Sequence, residues 1–317
     1  MPGYDRAALA GVAAQVADAV RSAGALALDA SRKPFKTWVK GHDSPVSEAD
    51  IAVDTLLKER LTAILPDAGW LSEETEDDRA RLSARRVWIV DPIDGTRAFI
   101  AGRADWTVSV ALVEQGRPII AALYAPASEE FFLAVVDGGA TRNGGAIRAS
   151  DGYGLAGARV SGPKRLVDLA AAAVPDAVIV PRVHSLALRL ARVADATLDL
   201  AFAGGASHDW DLAAADLLVH EAGGLLTTFE GAELSYNGAV PTHGTLVAAG
   251  RARHRALIRV LRPAPIVPGH HYPPIEPRLC VPSSRRYPVI AGRPLCLLTI
   301  ATRAQQNVPT RNAPRHA

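Results

Sequence analysis

The sequence predicts an α/β protein, with an α+β first half joined to an α/β second half. Three observations carry this. Two long stretches with apolar residues at helical spacing come first, and a run of short apolar segments with turn residues between them follows. From about residue 158, strand-like and helix-like segments alternate. The seam lies near 150–158 and divides the body into domains at 1–155 and 156–262, ahead of a Pro- and Arg-rich tail at 263–317.

Residues 7–30 form the first predicted helix because Leu9, Val12, Val16 and Val20 recur at spacings of three and four. The second covers 48–65, where Ser47 and Asp50 make a capping box and Pro66 stops the helix. Val87-Trp88-Ile89-Val90 is a short apolar strand, followed by strands at 107–114, 118–124 and 130–136. Gly116-Arg117-Pro118 and Asn143-Gly144-Gly145 read as turns between antiparallel strands. Beyond the seam, strands at 177–180, 197–202, 225–228 and 245–249 are separated by helices at 184–194, 211–222 and 251–261. The tail has no sustained period and prolines recur every few residues, so it is read as disordered or loosely attached.

Of the 317 residues, 49% are hydrophobic and 21% charged, an ordinary globular balance that excludes wholesale disorder. No apolar run approaches the ~20 residues a membrane span needs. Residues 1–6 lead into an Ala-rich stretch interrupted by acids, unlike a signal or transit peptide. The expectation is a cytoplasmic protein with no membrane partner. The net charge of +2 hides a division: the tail carries seven Arg against Glu276 alone, while residues 1–262 sum to −4. With the basic excess confined to the tail, no nucleic-acid polymer is expected as a partner. Cys280 and Cys296, both in the tail, make neither a disulfide scaffold nor a zinc site.

The most informative segment is 88–99, W-I-V-D-P-I-D-G-T-R-A-F. A buried strand ends at Val90, and Asp91 and Asp94 follow with Pro92 fixing the backbone between them. Gly95-Thr96 opens a short helix through about Ile100, whose free N–H groups form an anion site. Three more acidic clusters accompany it: Glu48 and Asp50 with Lys40 upstream, Ser72-Glu73-Glu74, and Asp209-Trp210-Asp211. Four carboxylates about 4 Å apart repel by roughly 4 kcal/mol per pair at an effective dielectric of 20, so they converge only around cations. Oxygen-only ligands point to Mg²⁺ or Mn²⁺ rather than zinc.

Residues 88–99 resemble the first signature of the inositol monophosphatase superfamily, W-x-x-D-P-x-D-G-T-x-x-F. Residues 210–224 resemble the second, W-D-x-A-A-A-x-x-x-x-x-E-A-G-G, and residues 40–50 and 72–74 match two upstream elements. The resemblance runs in order from about 36 to 262 and implies a layered αβαβα sandwich. It also implies a Mg²⁺-dependent, lithium-sensitive phosphomonoesterase acting on a small phosphorylated substrate. Two or three Mg²⁺ ions occupy such a site, with Mn²⁺ as an alternative, and the family commonly forms homodimers. Carried over by position, Glu73, Asp91, Asp94 and Asp211 ligate the metals together with the Ile93 carbonyl. Asp50 and Thr96, with Glu73, are the catalytic group that orients and deprotonates water. The Gly95 and Thr96 amides hold the phosphate, with Asp94 and Asp211 also facing substrate, and Lys40 and Glu74 stand behind the ligands.

Within the superfamily, Ser72-Glu73-Glu74, Arg97 and Phe99-Ile100 look most like the 3′(2′),5′-bisphosphate nucleotidase branch, which converts adenosine 3′,5′-bisphosphate to AMP and phosphate. Two departures stand against this. His184-Ser185-Leu186-Ala187 occupies the place of the branch's Ser-Ser-Leu-Lys, and the loop 161–165 differs, although Lys164 or Arg165 offers charge for a second phosphate. Inositol-1-monophosphatase and histidinol-phosphatase are the enzyme alternatives. The alternative from another class is a catalytically silent metal-binding regulatory protein. Three weaker signals take bland readings. Gly152 to Gly157 spells G-x-G-x-x-G but a strand, not a helix, is predicted after it. Ser207, His208 and Asp209 are adjacent and cannot form a relay, and His270-His271 lies in the tail.

Overall fold

Apolar periodicity of two kinds builds the first half of the computed structural model, which describes residues 6–40, 44–150, 152 and 154–261. The expectations for 263–317, including His270, His271, Cys280 and Cys296, lie outside the described residues. Helix α1 (Arg6–Ser31) buries Leu9, Ala13, Val16, Val20 and Ala27 at helical spacing. The hairpin of β1 (Thr37–Lys40) and β2 (Ser44–Ser47) is invisible to periodicity because all four residues of β1 are exposed. Helix α2 (Glu48–Ile64) starts at the predicted capping box. Next come β3 (Gly69–Ser72) and β4 (Arg86–Asp94), which runs four residues past the strand end expected at Val90.

The short helix α3 (Thr96–Ile100) leads to β5 (Thr107–Glu114) and β6 (Arg117–Ala125). Their turn is Gln115-Gly116, one residue ahead of the predicted position. Both residues have positive φ, 50° and 76°, as a two-residue hairpin turn matched to strand twist requires. Strands β7 (Glu130–Val135), β8 (Gly139–Arg142) and β9 (Gly145–Ala146) complete a seven-stranded sheet in the order β3-β4-β5-β6-β7-β8-β9.

The second half alternates, with one helix, α4, beyond those expected: β10 (Arg159–Ser161), α4 (Lys164–Ala173), β11 (Val178–Ile179), α5 (Leu186–Ala194) and β12 (Leu200–Ala203). After them come β13 (Ser207–His208), α6 (Asp209–Glu221), β14 (Gly224–Thr228), β15 (Thr242–His243), β16 (Leu246–Gly250) and α7 (Arg251–Leu261). Five of these strands form a mixed sheet, β11-β10-β12-β16-β14. Helix α4 is absent from the sequence reading because it buries only Val167 and Ala170. Strand β10, not a helix, follows Gly157, so the dinucleotide fingerprint has no helix to serve.

Strict alternation sorts the layers. Trp88 and Val90 of β4, Val108, Val110 and Leu112 of β5, and Ile120 and Ala122 of β6 pack with α1 and α2. Their neighbours Val87, Ile89, Ala111, Val113, Ala121 and Leu123 face the opposite side, against α5 and α6. Those two helices also pack against Ala201, Leu226, Leu246 and Ala248 of the second sheet. The outer face of that sheet is covered by α4 and α7 through Val167, Ala170, Leu257 and Ile258. The result is the αβαβα sandwich that the resemblance implies. Residues 212–219 of α6 are buried on every side, as a helix pressed between two sheets demands. Among the described residues, no helix is long and apolar enough to cross a membrane.

Asp199 ties β10 and α7 to this second sheet, accepting from the Arg159 N–H and Nε at 2.9 Å each and from Arg253 Nη1 at 2.8 Å. Against the upward push of burial, the Arg159 hydrogen bonds hold its carboxyl down at about 2. A depressed folded pKa gives stability that is present above the unfolded value of about 3.9 and is lost as pH falls toward 2. Asp199→Asn is expected to lower stability at neutral pH by about 1–3 kcal/mol and to flatten the acid limb. Urea unfolding at neutral pH and across the acid range measures both.

Candidate active site

In a regular strand, Asp91 and Asp94 would point to opposite faces, since three residues is an odd step. Strand β4 avoids this with a bulge. Asp91 pairs with Ser109 and Asp94 with Thr107, so three residues on β4 oppose two on β5. Pro92 lies within the bulge, a place in a strand where proline is tolerated. Ile93 still faces α1 and α2, and both aspartates turn to the side of α5 and α6. There they meet Asp211 from the first turn of α6: one carboxylate oxygen from each of the three lies within 4.8 Å of the others.

Asp94, Asp211 and Asp50 are each gripped from behind by the start of a helix. The Asp94 Oδ2 accepts the Ser185 hydroxyl and the Ala187 N–H at 2.6 Å. Ser185 is in turn the N-cap of α5, accepting the Leu188 N–H at 2.9 Å. Asp211 accepts the His208 N–H at 2.7 Å. Asp50 accepts both the N–H and the hydroxyl of Ser47, at 2.8 and 2.6 Å. Its other oxygen takes the Thr96 hydroxyl at 3.3 Å, and that hydroxyl also reaches the Ile93 carbonyl at 3.0 Å. Gly95, at φ 94°, sits in the left-handed region, and a Cβ there would lie 3.2 Å from the Ser185 nitrogen. Glycine therefore lets the turn before α3 press against the start of α5.

Glu73 stands outside the tight trio but shares its electrostatics. Burial, then the charges of Asp211 and Glu74, pushes its carboxyl up to about 8. Burial and the neighbouring Asp94 push Asp211 up to about 7, and burial with Glu73 and Asp94 drives Asp91 well above the usual carboxylate range. Asp94, Asp50 and Glu74 are raised as well, burial again leading. Lys40 donates to the Glu73 carbonyl and lies 3.4 Å from Glu74 Oε2. A buried oxygen of Asp91, Oδ1, has no hydrogen-bond partner. That orphan acceptor, in an all-oxygen group this crowded with negative charge, is what a hard divalent cation fits.

Two residues to which the sequence assigns no site role prove important. Asp54 lies one turn after Asp50 on the buried face of α2, where it accepts the Ser72 hydroxyl and the Thr75 hydroxyl at 2.6 Å. It thereby fixes the turn that carries Glu73 and Glu74, and the i, i+4 spacing of two acids on an apolar face is the signal that reveals it. Ser185 escapes because the predicted helix begins at 184, which hides its role as cap. Lys164 and Arg165 do not reach the site. Lys164 pairs with Asp168 at 2.8 Å, and Arg165 lines a different cavity with Phe229 and Thr245. Asp209 turns away to the Asn237 N–H and His243 Nε2, both 2.7 Å, so residues 207–209 form no relay. Glu221 of the second signature accepts the Asp137 and Gly139 N–H groups, a structural task. Arg97 is exposed.

A profile of the inositol monophosphatase family matches residues 8–265. The chain belongs to that family. Its members are metal-dependent phosphatases that hydrolyse phosphate monoesters. Among relatives, this family member is similar to an inositol-1-monophosphatase of Rhizobium meliloti, 32% identical over 248 residues, covering 72% of this chain and 86% of that protein. It is also similar to the 3′(2′),5′-bisphosphate nucleotidase CysQ of Salmonella typhimurium, 39% identical over 123 residues. That match covers 38% of this chain and spans half the length of the nucleotidase. In three dimensions it resembles the extragenic suppressor protein SuhB of Bartonella henselae, with a TM-score of 0.69 and 27% identity over 80% of this chain and 98% of the other. An IMPase of Thermotoga maritima gives 0.67 and 25% identity, over 77% of this chain and 94% of that one.

If Asp54 holds the Glu73 turn in place, Asp54→Ala should weaken divalent-cation binding by about tenfold or more, as losing a group behind a metal ligand does. Asp54→Asn, which keeps an acceptor, should lose less. Calorimetric titration with Mg²⁺ beside a urea midpoint for each variant separates this from unfolding.

Proposed function

We propose that this chain is a Mg²⁺-dependent phosphomonoesterase whose substrate is a 3′(2′),5′-bisphosphate nucleotide such as adenosine 3′,5′-bisphosphate. The observation that carries the reading is the convergence of Asp91, Asp94 and Asp211 within 4.8 Å, beside the Asp50–Thr96 pair. Carboxylate-only donors favour Mg²⁺, with Mn²⁺ as the alternative. Bound cations supply a lowered pKa for an attacking water and neutralise charge on the departing oxygen.

The chain's own residues supply the rest. Asp91, Asp94 and Asp211, with Glu73 beside them, hold the cations, and the second lone pair of the Ile93 carbonyl is available to them. Asp50 orients the Thr96 hydroxyl, and the pair takes the proton that the attacking water gives up. The first amides of α3, which have no partner within their own helix, face the charge that grows on the phosphoryl oxygens.

One observation favours a nucleotide as the leaving group. The His208 ring lies flat on Trp210, 4.5 Å between centroids and 4° between planes, three residues before Asp211. The His208 side chain is 40% exposed, which leaves an aromatic surface beside the pocket for a base to stack on. Inositol-1-phosphate is the second reading. Its support is the Rhizobium relative, whose likeness covers 72% of this chain against 38% for the nucleotidase. Ala187 also leaves that position without the lysine charge that a second phosphate favours.

A phosphate-release panel of adenosine 3′,5′-bisphosphate, inositol-1-phosphate, fructose-1,6-bisphosphate and histidinol phosphate, each with Mg²⁺, decides between these. The bisphosphate nucleotide is expected to lead in kcat/KM by about tenfold or more, a discrimination of ~1.4 kcal/mol. Inositol-1-phosphate in first place would overturn the substrate, and no release from any compound would overturn the enzyme. Asp94→Asn is expected to cut turnover by at least about 100-fold with the urea midpoint retained. Chelation should abolish turnover, and Li⁺ should inhibit it.

A further inference from the structure

Helix α7 carries four arginines of two kinds. Arg253 is structural: it donates to the Gly154 carbonyl at 2.9 Å, the Ser150 hydroxyl at 2.5 Å and Asp199 at 2.8 Å. Arg251, Arg255 and Arg259 recur every four residues on another face, ~6 Å apart along the axis, and all three are exposed. Within the described residues, no hydrogen bond or ion pair engages them. About half of the other described arginines have a carboxylate within reach, as Arg60, Arg81, Arg85, Arg103, Arg142 and Arg192 do. Like charges at this spacing destabilise a helix slightly, and of the three only Arg259, in the last turn, is favoured by the helix dipole.

The three arginines line one open cleft of about 410 Å³ between α7 and β14. Leu225 and Ile258 give it an apolar wall. Its single acid, Glu233, is committed to Arg117 at 3.2 Å. His254, buried at the cleft, is bonded to the Thr227 hydroxyl at 2.8 Å. Burial first, then the charges of Arg251 and Arg255, push its pKa down to about 4, which keeps the ring neutral and registers the positive field around it. None of the acids of the catalytic pocket lines this cleft.

We propose that the α7 cleft is a second ligand site, for a nucleotide-sized anion that carries two or more phosphoryl groups. Arginine's planar fork matches phosphate bidentately, and two successive arginines of the row span a diphosphate. The volume lies in the range of small-molecule sites, and Leu225 and Ile258 offer apolar surface to the uncharged part of the ligand. The cleft has no free carboxylate, so the anion binds without a bridging cation, unlike anything bound in the acidic pocket. The proposal does not depend on the catalytic reading.

The test uses the full chain with EDTA present, so that no cation can bridge phosphates to the acidic pocket, and ADP as the probe in titration calorimetry at low salt. Saturable one-to-one binding is expected, weakened about tenfold or more in Arg255→Ala. It should be lost when Arg251, Arg255 and Arg259 are all replaced by alanine, and kept in the control Arg285→Ala/Arg286→Ala in the tail. Alanine preserves helix propensity, and circular dichroism with a urea midpoint checks the fold of each variant. No saturable binding by the parent chain overturns the proposal. So does equal weakening in the tail control, which would make it a matter of net charge. A single-stranded oligonucleotide binding more tightly than ADP overturns it too, by making the row a face for a polymer.

Discussion

Carboxylates repel one another, and bringing Asp91, Asp94 and Asp211 within 4.8 Å sets the problem that the surrounding backbone solves. At an effective dielectric near 20, each such pair opposes assembly by roughly 4 kcal/mol. The opposition is met by amide and hydroxyl donors at helix starts. Ser185 and Ala187 grip Asp94, His208 grips Asp211, and Ser47 grips Asp50. Helix N-termini carry partial positive charge, so the same three helix ends that anchor the acids also moderate their field. Burial first, and then the neighbouring acids, raises the pKa values of Glu73 and Asp211, costs that a bound cation would relieve.

The layering follows from this demand. Acids from β4 must meet an acid from α6, so α6 has to cross directly over the first sheet, yet it must also seal the inner face of the second. Small residues make this fit: Ala213, Ala214 and Ala215 of α6 and Ala187, Ala191 and Ala194 of α5 are all buried between the sheets. Close-packed interiors tolerate little excess volume, and alanine lets both sheets approach one helix layer. The Ala-rich composition, which says little when read as a percentage, is what a doubly covered helix layer requires.

Much of this was legible along the chain. The capping box at Ser47 and Asp50, strand β5 and the acid clusters needed only local pattern, because propensity and tertiary context agree there. The passage through Asp91 to Asp94 was harder. Proline inside a strand ordinarily marks its end, so the reading stopped at Val90, whereas the bulge turns Pro92 into the residue that re-aims Asp94. Asp54 and Ser185 act through contacts 18 and 91 residues away, and no local period encodes such distances. The β1–β2 hairpin and α4 bury too little to leave a trace in hydrophobic pattern. The signatures supplied what periodicity did not, namely that dispersed acids belong to one pocket.

The grip on Asp94 by Ser185 bridges 91 residues of chain. During synthesis, a ribosome that has released only the first sheet has already made Asp91 and Asp94, but neither the amides that steady Asp94 nor the third acid at 211. The incomplete chain thus presents two unneutralised acids and an uncovered apolar sheet face. Emergence of α5 supplies the donors that steady Asp94, and α5 and α6 together cover that sheet face. The three-acid cluster is therefore complete only in a chain translated past the first turn of α6.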